Sequence, residues 1–146
     1  MPRFTALVYE ADDATALDRT LNCLSVASDI LVLLNGNHET EKVAHKHSAR
    51  VREHIPGVTV GAYTMDGFYP WTLVIRAGDE LGPESLLALQ EWRQLKEDSS
   101  ALYRLQGDSP YLPVLVNRDR VNWIGDSPSV PNDAPLLLPL HRQRAA

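Results

Sequence analysis

Chemistry-bearing side chains gather in three short polar stretches, each directly after an apolar run: residues 10–13, 35–38 and 76–80. The first holds Glu10, Asp12 and Asp13, the second Asn35, Asn37 and His38, the third Arg76, Asp79 and Glu80. In an open α/β sheet, ligands bind beyond the carboxyl ends of the strands, which is where these stretches fall if each apolar run is a strand. Glu10, Asp12, Asn35, Asn37 and Arg76 are therefore candidates to hold a nucleotide, with the planar fork of Arg76 suited to a diphosphate. Each stretch also has a plainer use. Asp12 and Asp13 are good helix caps, Asn35-Gly36-Asn37 is turn chemistry that tolerates positive φ, and Arg76 with an acid makes an ordinary surface ion pair.

Other constellations carry less. No Gly-x-Gly-x-x-Gly occurs, nor a Gly-rich loop with a lysine, so the strong nucleotide fingerprints are absent. His38, Glu41 and His45 stand at i, i+3, i+7 and share a helix face, but no His-Glu-x-x-His spacing fixes a metal geometry. With Glu39, Lys42, Lys46, Arg50 and Arg52 around them, a solvated charged face is the better account, and no metal site or cofactor is expected. The single cysteine, Cys23, lies among apolar residues and reads as a small core hydrophobe.

The elements that must position these residues follow from periodicity. Residues 4–9 form a short apolar run rich in strand formers, and 30–34 form another. Between them Leu17, Leu21 and Leu24 at i, i+4, i+7 predict a helix over about 14–27. A polar helix is expected over 38–54, a third strand at 58–60 after Pro56-Gly57, and a fourth at 71–75. Gly82-Pro83-Glu84 starts a helix to about Lys96, since Pro fits the first helical position and an acid the first turn. This order predicts an α/β layer fold with a mostly parallel sheet and helices on both faces. Beyond Ser100 the pattern turns to short strands at 101–105, 112–116 and 120–124, the last two joined as a hairpin through Asn117-Arg118-Asp119. From Ser127 onward Pro128, Pro131, Pro135 and Pro139 are expected to forbid regular ladders, and Leu136, Leu137 and Leu138 to pack on the body, with fraying after His141. Trp71, Trp92 and Trp123 are expected in the core.

The chain has 146 residues, enough for one domain, with no internal repeat and no low-complexity segment. That domain divides into an α/β portion at 3–98, a β-rich portion at 101–126 and a proline-rich tail at 127–146. One cysteine excludes an internal disulfide framework, and 44% hydrophobic with 23% charged residues excludes wholesale disorder. No apolar run approaches the roughly 20 residues of a membrane span. A net charge of −5 argues against a nucleic-acid partner. A cytoplasmic protein is expected, and residues 135–140 are the best candidate for a homodimer contact.

Leu17-Asp18-Arg19-Thr20-Leu21-Asn22-Cys23-Leu24, Ser28-Asp29-Ile30-Leu31-Val32-Leu33, Ala49-Arg50-Val51, Trp71-Thr72-Leu73-Val74-Ile75 and Asp79-Glu80-Leu81-Gly82-Pro83-Glu84 together carry a resemblance. Their succession resembles the N-terminal half of family-2 glycosyltransferases, the nucleotide-diphospho-sugar transferases of the GT-A fold, in a small bacterial glycan-building branch. The match runs to about residue 98; residues 118–125 resemble that branch more thinly. The resemblance implies a GT-A-like, Rossmann-like three-layer sandwich with a C-terminal β-hairpin, and a nucleotide-diphospho-sugar as ligand.

The departures matter as much. The family's metal-holding Asp-x-Asp aligns with Arg76, Ala77 and Gly78, and its base-contacting Asp with Leu34 or Asn35. The helix between the third and fourth strands is shortened at 64–70, and a His-Glu pair aligns with Pro128 and Ser129. The expectation is a scaffold that has lost its metal-dependent machinery and serves as a noncatalytic nucleotide- or sugar-binding module. The alternative is a metal-independent transferase in which Arg76 replaces the metal's charge and Asp79 or Glu80 is the catalytic base.

Overall fold

A computed structural model describes residues 2–95, 98–106, 113–121, 123–124, 127–128 and 134–140. The apolar run at the start forms β1 (Phe4–Ala11). The Asp13 side chain then caps α1 (Ala14–Asn22), accepting from the Ala16 N–H at 3.2 Å. The expected extension of this helix to 27 does not occur. Residues 23–27 continue in tight turns that bury Leu24 and Val26, and the Val26 carbonyl accepts from Arg93 Nη1 at 2.6 Å.

Next come β2 (Asp29–Leu34) and α2 (His38–Lys46), the latter capped by Asn37. The long polar helix expected over 38–54 ends here. Ser48 takes φ +58, and the Ala49 N–H closes the end on the Ala44 carbonyl at 3.0 Å. The chain re-emerges as β3 (Arg50–Glu53), an edge strand that pairs in parallel with β2. Residues 58–60 are therefore not the third strand. The sheet position is already filled, and Val60–Asp66 instead coils into a 3-10 helix that buries Val60, Gly61, Tyr63 and Thr64.

After β4 (Trp71–Arg76) comes α3 (Pro83–Trp92), then β5 (Leu102–Arg104) and β6 (Val114–Asn117). The six strands lie in the order β3-β2-β1-β4-β6-β5. The first four run parallel, whereas β6 is antiparallel to both β4 and β5, so the sheet is mixed. The expected hairpin between 112–116 and 120–124 is not formed. β6 pairs with β4 and β5, and Arg120 lies in a turn. A separate antiparallel pair joins β7 (Trp123–Ile124) to β8 (Ser127–Pro128), so one ladder does form where prolines were expected to forbid it.

Two apolar layers flank the sheet. One gathers Val8, Leu17, Leu21, Ala44, Leu73, Ile75, Leu89 and Trp92, and so lies under α1, α2 and α3. The other gathers Leu7, Leu31, Leu33, Val60, Tyr63, Val74 and Val116 beneath the 3-10 helix. Among the described residues the three α-helices share one face, and the short 3-10 segment is the helical cover of the other. Trp71 and Trp92 are buried and meet edge-on at 5.1 Å; the Trp123 side chain, Leu112, Ser129 and the expected fraying after His141 lie outside the described residues.

The far edge of β5 is closed by a strap, residues 134–140. The Arg104 N–H donates to the Pro135 carbonyl at 2.8 Å, the Leu137 N–H donates to the Arg104 carbonyl at 2.8 Å, and Leu137 is buried. The leucines of the tail thus pack on the body as the sequence suggests. At the opposite, amino-end margin of the sheet, Arg50 grips the Asp29 carboxylate through Nε at 2.8 Å and Nη2 at 2.6 Å. Arg50 also donates to the Asp66 carbonyl and covers the Phe68 ring at 3.8 Å, tying the 3-10 segment to the sheet.

Candidate functional site

The parallel strands β2, β1 and β4 lie side by side, so their carboxyl ends deliver the three polar stretches to one margin of the sheet. β1 reaches this margin irregularly. Its register with β2 slips between Val8 and Ala11, and Glu10 is held at φ +53, a left-handed conformation that a non-glycine side chain adopts at a cost. The Asp12 N–H turns back onto the Glu10 carbonyl at 2.9 Å, leaving both Glu10 and Asp12 exposed.

The second stretch is bonded to the first. Asn35 Nδ2 donates to the Asp12 carboxylate, and Asn37 Nδ2 donates to the Asp12 carbonyl at 3.1 Å. Asn37 also caps α2, its Oδ1 accepting from the Glu39 N–H at 2.9 Å. Capping and loop joining are thus one arrangement, and Asp12, Asn35 and Asn37 form a connected cluster.

The third stretch is anchored to α1 instead. Thr20, fully buried, accepts from the Gly78 N–H at 2.8 Å and donates to the Asp79 carbonyl at 2.7 Å. Gly78 sits at φ +104, a turn only glycine enters without strain. The Cys23 thiol donates to the Thr20 carbonyl at 3.0 Å and accepts from the Leu81 N–H at 3.4 Å. Burial pushes this thiol's pKa up. Cys23 packs against the core as its composition suggests, and it also serves as a loop anchor. Neither role of Thr20 nor this one of Cys23 could be read from spacing, because the partners lie about 58 residues away.

Arg76 therefore stands at a fixed place. Its side chain is 51% exposed and faces the Asp79 carboxylate at 3.8 Å, and the Asp79 side chain is only 16% exposed. The ordinary ion pair and the candidate phosphate contact are the same residue. Glu80 points outward and is exposed.

Beside Asn35 the margin opens into a depression of about 350 Å³ lined also by His54, Pro56, Gly57, Val58 and Thr59. His54 Nε2 donates to the Val58 carbonyl at 2.8 Å, and its ring meets Tyr63 edge-on at 5.3 Å, so this wall is rigid. The sequence reading missed these residues. Pro56-Gly57 marks a turn, but its nearness to Asn35 follows from β3 pairing with β2.

Charge in the three stretches is lopsided: they hold Glu10, Asp12, Asp13, Asp79 and Glu80 against one arginine, Arg76. Carboxylates and amides so placed accept and donate to hydroxyls, and a phosphate has one guanidinium to meet. His38 and His45 lie 3.9 and 3.5 Å from Glu41 on an exposed face of α2, a solvated charged surface. Among the described residues no cluster of three or more His, Cys, Asp or Glu could hold a metal ion, and no helix is long and apolar enough to cross a membrane. No protein-family model and no curated protein matches this chain.

Proposed function

We propose that the protein is a noncatalytic, GT-A-like module that binds a nucleotide sugar across the carboxyl margin of β2, β1 and β4. One observation carries the reading: the depression beside Asn35 and the exposed Arg76 guanidinium flank the same strand, β1. With neighbouring strands about 4.8 Å apart, the ends of β2 and β4 are separated by roughly 10 Å. That span suits a nucleoside in the depression and its diphosphate at Arg76. The Asp12, Asn35 and Asn37 cluster then offers partners to ribose or sugar hydroxyls. A cytoplasmic setting accords with the single free thiol.

The transferase alternative draws on the Arg76–Asp79 pair, which sets a cation beside a carboxylate. It has less support, because the Asp79 carboxylate is turned toward Arg76 at 3.8 Å and its side chain is only 16% exposed. Calorimetric titration with UDP, GDP, CDP, dTDP and UDP-sugars, with and without Mn²⁺, decides between the readings. The expected result is metal-independent binding weakened at least tenfold by Arg76→Ala, with no sugar-nucleotide turnover. Turnover abolished by Arg76→Ala would establish the transferase. Absence of binding, or binding indifferent to Arg76→Ala, would overturn the proposal.

A further inference from the structure

A groove of about 320 Å³ lies between α3 and the strap, lined by none of the residues of the margin described above. One wall carries Ala88 and Trp92 of α3 with Leu95 just beyond its end, and the other wall is made largely of strap leucines. The volume falls at the lower end of the roughly 300–1,000 Å³ of small-molecule pockets. Leu95 and Leu140 remain 42% and 47% exposed at this groove, so apolar surface there is left uncovered. The one acidic or basic side chain among the described lining residues is Glu91. Its Oε2 accepts from the Leu140 N–H at 2.9 Å, which fixes the carboxylate where helix meets strap.

We propose that this groove binds a linear aliphatic ligand ending in a cation, the chain lying on Trp92, Leu95 and the strap leucines and the head facing Glu91. Charge decides the class. A carboxylate-headed chain would meet the Glu91 charge and a protein of net charge −5, whereas an ammonium head is drawn to both. The groove does not depend on the nucleotide-sugar reading.

The test titrates n-octylamine, octanol and octanoate into the full chain, followed by NMR shifts of the Trp92 indole and the Leu95 and Leu137 amides. The amine is expected to bind saturably and tightest, octanoate weakest. From hexyl- to decylamine each methylene should tighten binding about fourfold. Glu91→Gln keeps an acceptor for the Leu140 N–H and should erase the preference of amine over alcohol. Leu95→Lys, at an exposed position, should turn the preference toward octanoate. Octanoate binding as well as octylamine, or shifts absent from these three residues, would overturn the proposal. So would self-association of the unliganded chain through Leu95 and Leu140, which would give the groove to a second copy.

Discussion

Replacing Asp29 by alanine tests the clamp that holds the 3-10 segment on the sheet. The Asp29 side chain is 4% exposed and accepts from Thr5 Oγ1 at 2.8 Å, from two Arg50 nitrogens and from the Phe68 N–H at 3.3 Å. Removing one member of a buried pair costs about 3–5 kcal/mol because the survivor is left uncompensated. Arg50 is 29% exposed and keeps the Asp66 carbonyl, so the lower end applies, about 3 kcal/mol. In a chain of this size that lowers Tm by roughly 6–12 °C. Urea unfolding at pH 7 of Asp29→Ala, Arg50→Ala and the double variant measures the effect and the coupling, expected to exceed about 1 kcal/mol.

The same carboxylate fixes a pH dependence. Burial raises its pKa, but the Arg50 guanidinium, the Thr5 hydroxyl and the Phe68 amide together outweigh burial and hold it below the ordinary aspartate value. A depressed folded-state pKa gives stability that is full above the unfolded value of about 3.9 and is lost as pH falls through the folded value. The gap between wild type and Asp29→Ala should therefore stay constant from pH 7 to about 5 and narrow below about 4. A cost under about 1 kcal/mol, or a gap independent of pH, would refute the clamp. Nucleotide binding at the opposite margin should be unchanged in whatever fraction remains folded.

Glu10→Gly should raise stability by about 1 kcal/mol, because glycine adopts φ +53 freely, and it should also tighten UDP binding by removing a like charge from the margin. Urea unfolding and calorimetry on the same preparation check both. Thr72→Val should stabilise by about 1 kcal/mol, since the Thr72 hydroxyl is buried in β4 without a partner among the described residues. A loss of stability in thermal unfolding would mean that this hydroxyl is satisfied.

The sequence disclosed the buried strands well and the edge strand badly, for one physical reason. β1, β2 and β4 are covered on both faces and spell continuous apolar runs, whereas β3 reads Arg-Val-Arg-Glu because edge strands are guarded by charge. Val43, His47 and Val51 at i, i+4, i+8 carry the helical reading through Ser48, where only the backbone marks the break. Val58-Thr59-Val60 then took the vacant strand role, though Val60 is buried by the 3-10 helix. The partner of β6 was illegible because Asn117-Arg118-Asp119 offers a local turn, while the bonds that form run to Trp71 and Leu102. At the site, placing Glu10, Asp12, Asn35, Asn37 and Arg76 on one margin required only strand polarity. The Thr20 anchor, the Asp12 cluster and the depression at His54 arise from tertiary neighbours, which local pattern cannot encode.

The strap has a consequence for biosynthesis. Arg104 waits for Ala134, 30 residues further along the chain, before its edge of the sheet is covered. At the roughly 5–20 residues per second of translation, β5 emerges about 1.5–6 s before its cover exists. Hairpins and short sheets form within microseconds to milliseconds, so the nascent protein passes through an interval with an assembled sheet and one bare rim. A chaperone holding the nascent chain would have most to protect in that interval. A chain stalled with β6 released and residue 134 still to come would display a free β-edge to every neighbour on the same message.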